Sequence, residues 1–160
     1  MRKLIYITSA VLAALISSCQ KNASTINESA SFPSEFNFLD LNLKVLTTII
    51  NTNKKTTAVL YGNELAFKKA TAHDSLNKAG EQYVLVTWSQ QANPDWFGSK
   101  IPYELLRVDV IKILAADKGV AKTEHKRYVG KNLSPSKDTI GQAAVTAYIL
   151  AQKPAIVPDL

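Results

Sequence analysis

Cysteine is nearly absent from this sequence, whose 160 residues contain only Cys19. A lone cysteine excludes an intramolecular disulfide framework and any zinc site built from several cysteines. Histidine is almost as scarce, since His73 and His125 are the only two. Zinc would need a third and a fourth ligand, and no cluster of histidines and acidic residues with suitable spacing supplies them. The sequence therefore predicts no metal site.

Motifs for catalysis and for nucleic-acid binding are also missing. The chain has no serine–histidine–aspartate grouping, no P-loop and no paired-carboxylate motif. Its 19 basic and 13 acidic residues are spread along the chain, which is typical of a solvated surface and argues against a nucleic-acid partner. Contact with anionic lipid headgroups is the alternative role for the basic residues. An apolar content of 46% excludes a disordered or collagen-like chain.

The longest apolar stretch lies at the N-terminus and is too short to cross a bilayer. Arg2 and Lys3 precede Leu4–Ile16, in which 11 of 13 residues are apolar. As a helix these residues would span about 20 Å, against about 30 Å for the hydrocarbon core. A basic start followed by a short apolar run is the pattern of a secretory signal peptide, to which we assign residues 1–18.

The end of this run resembles the lipobox of bacterial lipoproteins. Ile16 stands three positions before Cys19, and the two serines between them are small. The resemblance implies that Cys19 is acylated, with palmitate among its chains, and becomes the first residue of the mature protein. Several acyl chains anchor a protein stably in membrane lipid, which one chain does not. The alternative is a buried free cysteine behind a signal peptide cleaved elsewhere.

The residues after Cys19 indicate where the anchored protein resides and how it is divided. No acidic residue occurs in Gln20–Asn22, which favours the bacterial outer membrane with the domain facing the periplasm. Residues 19–35 carry the lipidated cysteine and a segment rich in asparagine, serine and threonine, which predicts a flexible tether. The mature chain of 142 residues, with 17 basic and 13 acidic side chains, is long enough for one core, which we place in residues 36–160.

Apolar periodicity predicts an α+β fold, with a mostly antiparallel β-sheet of about five strands, one inserted short helix and a C-terminal helix. Phe36–Asn51 alternates like a half-buried strand, although a short helix over Leu39–Leu46 is the alternative. The other predicted strands are Thr56–Tyr61, Tyr83–Trp88, Leu105–Leu114 and Val120–Val129.

Capping residues locate the two predicted helices. Asn63 is a good N-cap for a short helix over Glu64–Ala72. Ser136 is expected to cap the last helix, and Ala155–Pro158 after it is expected to pack on the sheet. The apolar stripe expected to bury that helix consists of Ile140, Ala144, Ala147, Tyr148 and Ala151.

Two stretches resemble the cytochrome P-460 domain family, in particular its small lipoprotein members. The first is Tyr61–Ala66, and the second combines Val86–Gln91 with Trp96–Pro102. A looser similarity at Ile149–Pro158 extends the resemblance over most of Phe36–Pro158. It implies a mostly antiparallel β domain with flanking helices.

The resemblance also implies a chemistry that this chain cannot carry out in the same way. Haem-bearing members hold a c-type haem through a Cys-x-x-Cys-His motif, cross-link a lysine to it and oxidise hydroxylamine, while close relatives bind diatomic gases. Here Cys19 is the only cysteine, and Lys131–Pro158 contains neither cysteine nor histidine. Neither Lys126 nor Lys131 can be matched to the cross-linking lysine. The resemblance therefore transfers the fold and not the haem attachment.

Three side chains remain as candidate site residues. His125 is the expected ligand if a haem is held without covalent attachment, because a strand position is rigid; His73 together with His125 is a further alternative to plain surface histidines. Trp96 and Phe97 lie on a proline-bounded loop. Either Trp88 fills the core and Phe97 pins the loop over it, or the loop aromatics contact a ligand or partner.

These observations predict a membrane-anchored, periplasm-facing lipoprotein that acts as a non-catalytic binding or interaction module. Its partners are membrane lipid, through acylated Cys19, and an unidentified protein or small molecule. No catalytic residue and no cofactor is predicted. The alternative is a non-covalent haem protein for gas sensing or for redox chemistry on small nitrogen compounds.

Overall fold

The computed structural model describes residues 26–72, 74, 76–115 and 122–155. Cys19, His73 and the first two residues of the predicted strand Val120–Val129 lie outside these residues. Within them, six strands form one antiparallel sheet in which every strand pairs with its neighbours in the chain. The strands are β1 (Lys44–Asn51), β2 (Thr56–Gly62), β3 (Gln82–Ala92), β4 (Lys100–Leu114), β5 (Lys122–Val129) and β6 (Ser134–Pro135), and the helices are α1 (Glu64–Thr71) and α2 (Gln142–Leu150).

This architecture confirms the predicted α+β fold, with six strands in place of about five. The extra strand arises because the chain turns back after β5 and pairs Ser134 with Val129 and Pro135 with Tyr128. Gly130, with a φ of 73°, supplies the left-handed residue that the turn requires. This edge strand could not be predicted, because two residues are too few to show the alternation of apolar and polar side chains that indicates a strand.

Alternation along the central strands gives the sheet two apolar faces. Leu85 on β3 and Ile111 on β4 lie on the face that α1 and α2 cover, which we call the helix face. Val84 and Val108 lie on the opposite face, which we call the aromatic face. Because both faces of β3 are covered, the strand is buried along most of its first half.

The aromatic face is covered by the N-terminal segment, which differs from the predictions for residues 19–35 and for Phe36–Asn51. Phe32 stacks on Phe38 with ring centroids 4.7 Å apart, and Phe38 meets Tyr61 edge-on at 4.8 Å. The indole Nε1 of Trp88 donates a hydrogen bond of 2.8 Å to the carbonyl oxygen of Ala30. Residues 27–38 are therefore part of the domain, and their alternating phenylalanines pack as a cluster rather than as a strand.

The segment between this cluster and β1 is a single 3-10 turn over Leu39–Leu41, so the first strand begins at Lys44 and not at Phe36. Asn42 ends the turn in the left-handed conformation, at a φ of 46°. Asparagine tolerates that conformation better than most residues. The predicted alternative helix over Leu39–Leu46 is thus present only as one short turn.

Helix α1 is positioned by the residues before it. The Asn63 Oδ1 accepts hydrogen bonds from the backbone N–H of Ala66, at 3.1 Å, and of Gln82, at 3.2 Å. The first bond is the predicted N-cap, and the second joins the start of the helix to the start of β3. Gly62 leaves room for this close approach, since a Cβ there would lie 2.9 Å from the Cβ of Ala66 and from Cδ1 of Leu46.

Helix α2 exists, but its start and its buried side were predicted wrongly. The helix begins after Gly141, whose φ is 72°, and the Ser136 hydroxyl instead accepts from the N–H of Asp138. Ile149 is its fully buried residue and packs on the helix face together with Val145 and Leu150. All five residues of the predicted stripe are exposed. Alanines bury little apolar area, so the larger Ile149 and Val145, one turn apart, determine which side faces the sheet.

The chain after α2 reaches the first strand. The N–H of Ala155 donates a hydrogen bond of 3.0 Å to the carbonyl oxygen of Leu46 on β1. The rest of the predicted apolar tail, from residue 156, lies outside the described residues. Within the described ranges, no helix has the length and apolar content needed to cross a membrane.

Candidate functional site

A cavity lies on the helix face, between the sheet and both helices. Its volume is about 550 Å³, which falls in the range of about 300–1,000 Å³ typical of small-molecule sites. Its apolar wall is formed by Leu46, Leu60, Ala70, Ile149, Leu150 and Pro154. Because Leu46 and Leu60 come from neighbouring strands and Ile149 comes from α2, the cavity exists only where the helix crosses the sheet.

A buried polar cluster forms one side of this cavity. Lys69 of α1 and Tyr83 of β3 both line the cavity. The Tyr83 hydroxyl donates a hydrogen bond of 2.9 Å to Oε2 of Glu81, whose side chain is 1% exposed. The Lys69 ammonium lies 3.5 Å from the same Glu81 oxygen and also contacts the Asn77 side chain.

This cluster is well satisfied by its own members. The second oxygen of Glu81 accepts a 2.8 Å hydrogen bond from the backbone N–H of Lys78, so the buried carboxylate has a donor on each oxygen. Burial, followed by the hydrogen bond to Glu81, raises the pKa of Tyr83 well above its usual value. The Tyr83 hydroxyl therefore stays protonated and acts as a donor, which does not suit it to a role as a general base at neutral pH.

A second buried polar cluster surrounds Asp109 of β4, which is 0% exposed. Its Oδ1 accepts from Nε of Arg127, at 2.7 Å, and lies 2.8 Å from Nε2 of His125. The cross-strand register explains both contacts of Asp109. Asp109 pairs directly with Arg127 on β5, and His125 lies two residues before Arg127 on the same face of that strand. Strand alternation places His125 and Arg127 on one face of β5, but nothing in the sequence pattern identified Asp109 as their partner.

Both ring nitrogens of His125 have partners. Nδ1 lies 3.1 Å from the Thr146 hydroxyl and 3.2 Å from the Gln142 carbonyl oxygen, both on α2, while Nε2 faces Asp109. The side chain is only 7% exposed. His125 thus joins β4, β5 and α2, and neither nitrogen is available as an iron ligand in this arrangement. A shallow groove beside it, lined also by Thr123, Ala143 and Ala147, contains no other histidine among the described residues.

The Asp109 cluster has polar atoms without complete hydrogen bonds. Arg107 Nε lies 3.2 Å from Asp109 Oδ2, but the pair lacks hydrogen-bond geometry, and both atoms have no hydrogen-bond partner. The Thr87 hydroxyl, which lies opposite Arg107 in the β3–β4 register, is also buried and also has no hydrogen-bond partner. Neither of the two described cavities is lined by Thr87, Arg107 or Asp109.

Trp96 and Phe97 occupy the tip of the β3–β4 loop and are strongly exposed, at 73% and 103%. Phe97 therefore does not pin the loop over Trp88, which lies on the aromatic face with Phe32. The loop is nonetheless well defined. The N–H of Asn93 bonds the Ser99 carbonyl at 3.0 Å, and the Asn93 side chain accepts from the N–H of Asp95 at 2.9 Å.

The structure therefore separates the predicted candidates. His125 is buried in a structural cluster, Trp96 and Phe97 lie on an exposed loop, and Cys19 and His73 are outside the described residues. In the described part of the chain no group of three or more histidine, cysteine, aspartate or glutamate side chains could hold a metal ion. The cavity was not predicted from the sequence. The only sequence feature that could have indicated Lys69 as a lining residue is its position between the apolar residues Phe67 and Ala70 of α1.

Comparisons with known proteins give no family for this chain. No model of a known protein family matches the sequence, and no similar sequence was found among curated proteins. The resemblance to cytochrome P-460 domains accordingly rests on residue patterns alone: Tyr61–Ala66, Val86–Gln91 with Trp96–Pro102, and the looser similarity at Ile149–Pro158.

Proposed function

We propose that the protein is a lipid-anchored, periplasm-facing binding module of the cytochrome P-460 type, whose cavity on the helix face holds a small molecule. The observation that carries this proposal is the cavity itself, because a concave and mainly apolar cleft of about 550 Å³ has the size and lining of a small-molecule site. The lipid anchor is supported by the lipobox-like residues that end at Cys19.

The lining indicates the chemistry of the ligand. The wall is mainly apolar and Lys69 contributes a cation with a side chain that is 10% exposed. A ligand with an apolar body and one anionic or hydrogen-bond-accepting end would place its body on Leu60 and Ile149 and its polar end near Lys69 and Tyr83.

Anilinonaphthalene sulfonate is a suitable probe, because it combines fused aromatic rings with one anionic group. We expect wild-type protein to bind it with enhanced fluorescence, and Ala70→Leu to reduce that binding at least tenfold by filling the cavity. Ala144→Leu is the matched control, since Ala144 is exposed on α2 and does not line the cavity. Equal binding by wild type and Ala70→Leu, with both folded by circular dichroism, would contradict the proposed site.

The anchor is tested independently of the cavity. Cys19→Ser should move the protein from the membrane fraction to the soluble periplasmic fraction, because the acyl chains are attached to the cysteine sulfur and amine. Mass spectrometry of the wild-type protein should show the added mass of the acyl groups. Retention of Cys19→Ser in membranes would rule the anchor out.

The described residues of this chain do not fit the haem of the family it resembles. His125 has both ring nitrogens occupied, and the described residues that line the cavity include no histidine, cysteine or methionine. We therefore expect no Soret band in protein purified from haem-supplied cells and no change in melting temperature when haem is added. A band that disappears in His125→Ala but persists in His73→Ala would favour the haem alternative instead.

A further inference from the structure

We propose that the tip of the β3–β4 loop, Trp96 and Phe97, is a membrane contact that inserts into the headgroup region of the bilayer holding the lipid anchor. The inference rests on the proposed acylation of Cys19. It adds a second point of attachment, which would fix the orientation of the domain on the membrane.

The first observation is the exposure of these two side chains. Trp96 is 73% exposed and Phe97 is fully exposed, although large aromatic side chains are normally buried in a small domain. Ile26 and Tyr103, near the same end of the sheet, are 66% and 47% exposed. Tryptophan and other aromatic residues are favoured at the membrane–water interface, where an apolar ring and a polar edge are both accommodated.

The second observation is the rigid presentation of the loop. The bond between Asn93 and Ser99 closes the loop, and Gly98 turns the chain with a φ of 78°. The side chain of Asn93 holds Asp95, which immediately precedes the aromatic pair. Because the backbone is already fixed, inserting the two rings would cost little additional conformational entropy.

The third observation is the place where the N-terminal segment leaves the domain. The Asn27 side chain donates hydrogen bonds to the carbonyl oxygens of Pro102, at 3.3 Å, and Tyr103, at 3.0 Å. Phe97 precedes Pro102 by five residues, so the aromatic tip is within about 18 Å of this point. The segment that leads to the anchor therefore leaves from the end of the sheet that carries the loop.

The length of chain between Cys19 and this point allows both contacts at once. Seven residue steps separate Cys19 from Ile26, which corresponds to at most about 25 Å of extended chain. The acyl chains and the aromatic tip can thus occupy one bilayer leaflet. The opposite end of the sheet, which carries the start of β3 at Gln82, is ten residues of strand away from Ala92 and would point into the periplasm.

The charges at this end favour insertion by the aromatic residues rather than adsorption by electrostatics. The charged side chains around the loop and the neighbouring turns are Lys54, Lys55, Lys100, Lys131, Glu28, Asp95 and Glu104. The lysines outnumber the carboxylates by one, so little attraction to anionic lipid is expected. The contact should consequently form on zwitterionic phosphatidylcholine.

Tryptophan fluorescence provides the test. The acylated full-length protein is reconstituted into phosphatidylcholine vesicles with bromine atoms on the upper acyl chain, which quench nearby tryptophan. We expect a blue-shifted emission and loss of the greater part of the Trp96 signal. Trp96→Phe should abolish the quenching, because the remaining Trp88 packs against Phe32 on the aromatic face.

A displaced tryptophan is the matched control. In the Trp96→Phe background, Tyr148→Trp places the probe on α2, at a site that is 47% exposed but far along the sheet from the loop. No quenching is expected there. Quenching at both positions would show that the domain lies on the membrane without a preferred orientation, and would overturn the proposal.

The remaining outcomes separate the loop from the anchor. Membrane-bound protein with unquenched Trp96 would refute the loop contact and leave the anchor standing. Soluble wild-type protein would refute both. If Cys19→Ser protein forms dimers in sedimentation experiments, and Trp96→Ala with Phe97→Ala abolishes them, the tip binds a second copy and the membrane proposal is wrong.

Discussion

Asp109 shows how much a single residue can determine in this protein. Its fully buried carboxylate is surrounded by Arg107, Arg127 and His125, and through His125 it joins the sheet to α2. A buried carboxylate is tolerated only when cations and hydrogen-bond donors compensate the lost hydration. Asp109 is therefore expected to position its neighbours rather than to react.

Removing this carboxylate should be costly. Asp109→Ala leaves Arg127, 10% exposed, without its 2.7 Å partner, so we expect a loss of about 3–5 kcal/mol of unfolding free energy in urea titration. Glu124→Ala is the control, because its ion pair with Lys126 is exposed and should change stability by less than about 1 kcal/mol. Similar losses for the two variants would show that Asp109 does not hold the cluster together.

Tyr83 should make stability depend on alkaline pH. Burial raises its pKa above the ordinary value of 10.0 in the folded state, so the unfolded chain loses the phenolic proton first as pH rises. The Tyr83 contribution is fully present below pH 10 and decreases above it. Urea unfolding between pH 8 and 11.5 should show a steeper decline for wild type than for Tyr83→Phe. Parallel curves would contradict the buried, proton-donating role of the hydroxyl.

At the scale of elements, the packing of α1 on the sheet depends on Gly62. The glycine ends β2 where the helix comes closest, and the space that a side chain would need is taken by Ala66 and Leu46. The Asn63 cap then fixes the helix to β3 through Gln82. Packing and capping thus account for Gly62, Asn63 and Ala66 of the Tyr61–Ala66 motif.

A methyl group at Gly62 should be destabilising. Gly62→Ala would bring its Cβ to 2.9 Å from the Ala66 Cβ, and such overpacking costs about 1–3 kcal/mol. Combining it with Ala66→Gly should recover part of the loss, since one of the two clashing atoms is removed. Thermal or urea unfolding of the four variants in a double-mutant cycle measures this coupling. Strict additivity would show that the two sites do not clash.

At the scale of the whole molecule, the sheet is enclosed by elements from both ends of the described chain. Residues 27–38 cover the aromatic face, and α2 covers the helix face. The segment predicted to be a tether from residue 19 to residue 35 is therefore in contact with the domain from Asn27 onward.

Two phenylalanines provide a direct measure of this contact. Phe32 stacks on Phe36 and Phe38, whereas Phe97 is fully exposed. Phe32→Ala should lower the unfolding free energy by about 2 kcal/mol or more, because it leaves a cavity under the segment. Phe97→Ala should change it by less than about 0.5 kcal/mol. If the two variants are equally stable, the N-terminal segment does not contribute to the core.

The sequence predicted features that depend on local residues and missed those that depend on distant ones. The Asn63 cap and the alternation of Tyr83–Trp88 follow from neighbouring residues, and the structure confirms both. The contacts of Glu81 with Lys69 and of Asp109 with His125 join residues 12 and 16 positions apart, so they depend on the path of the loops and on strand register. The cavity depends in addition on the placement of α2. The alanine-rich periodicity of that helix did not show which of its sides is buried.

The late position of α2 has a consequence for synthesis. All five long strands precede Ile149, which packs with Leu60 and Ile111 in the core of the helix face. The nascent chain therefore cannot complete this core until residue 150 has left the ribosome.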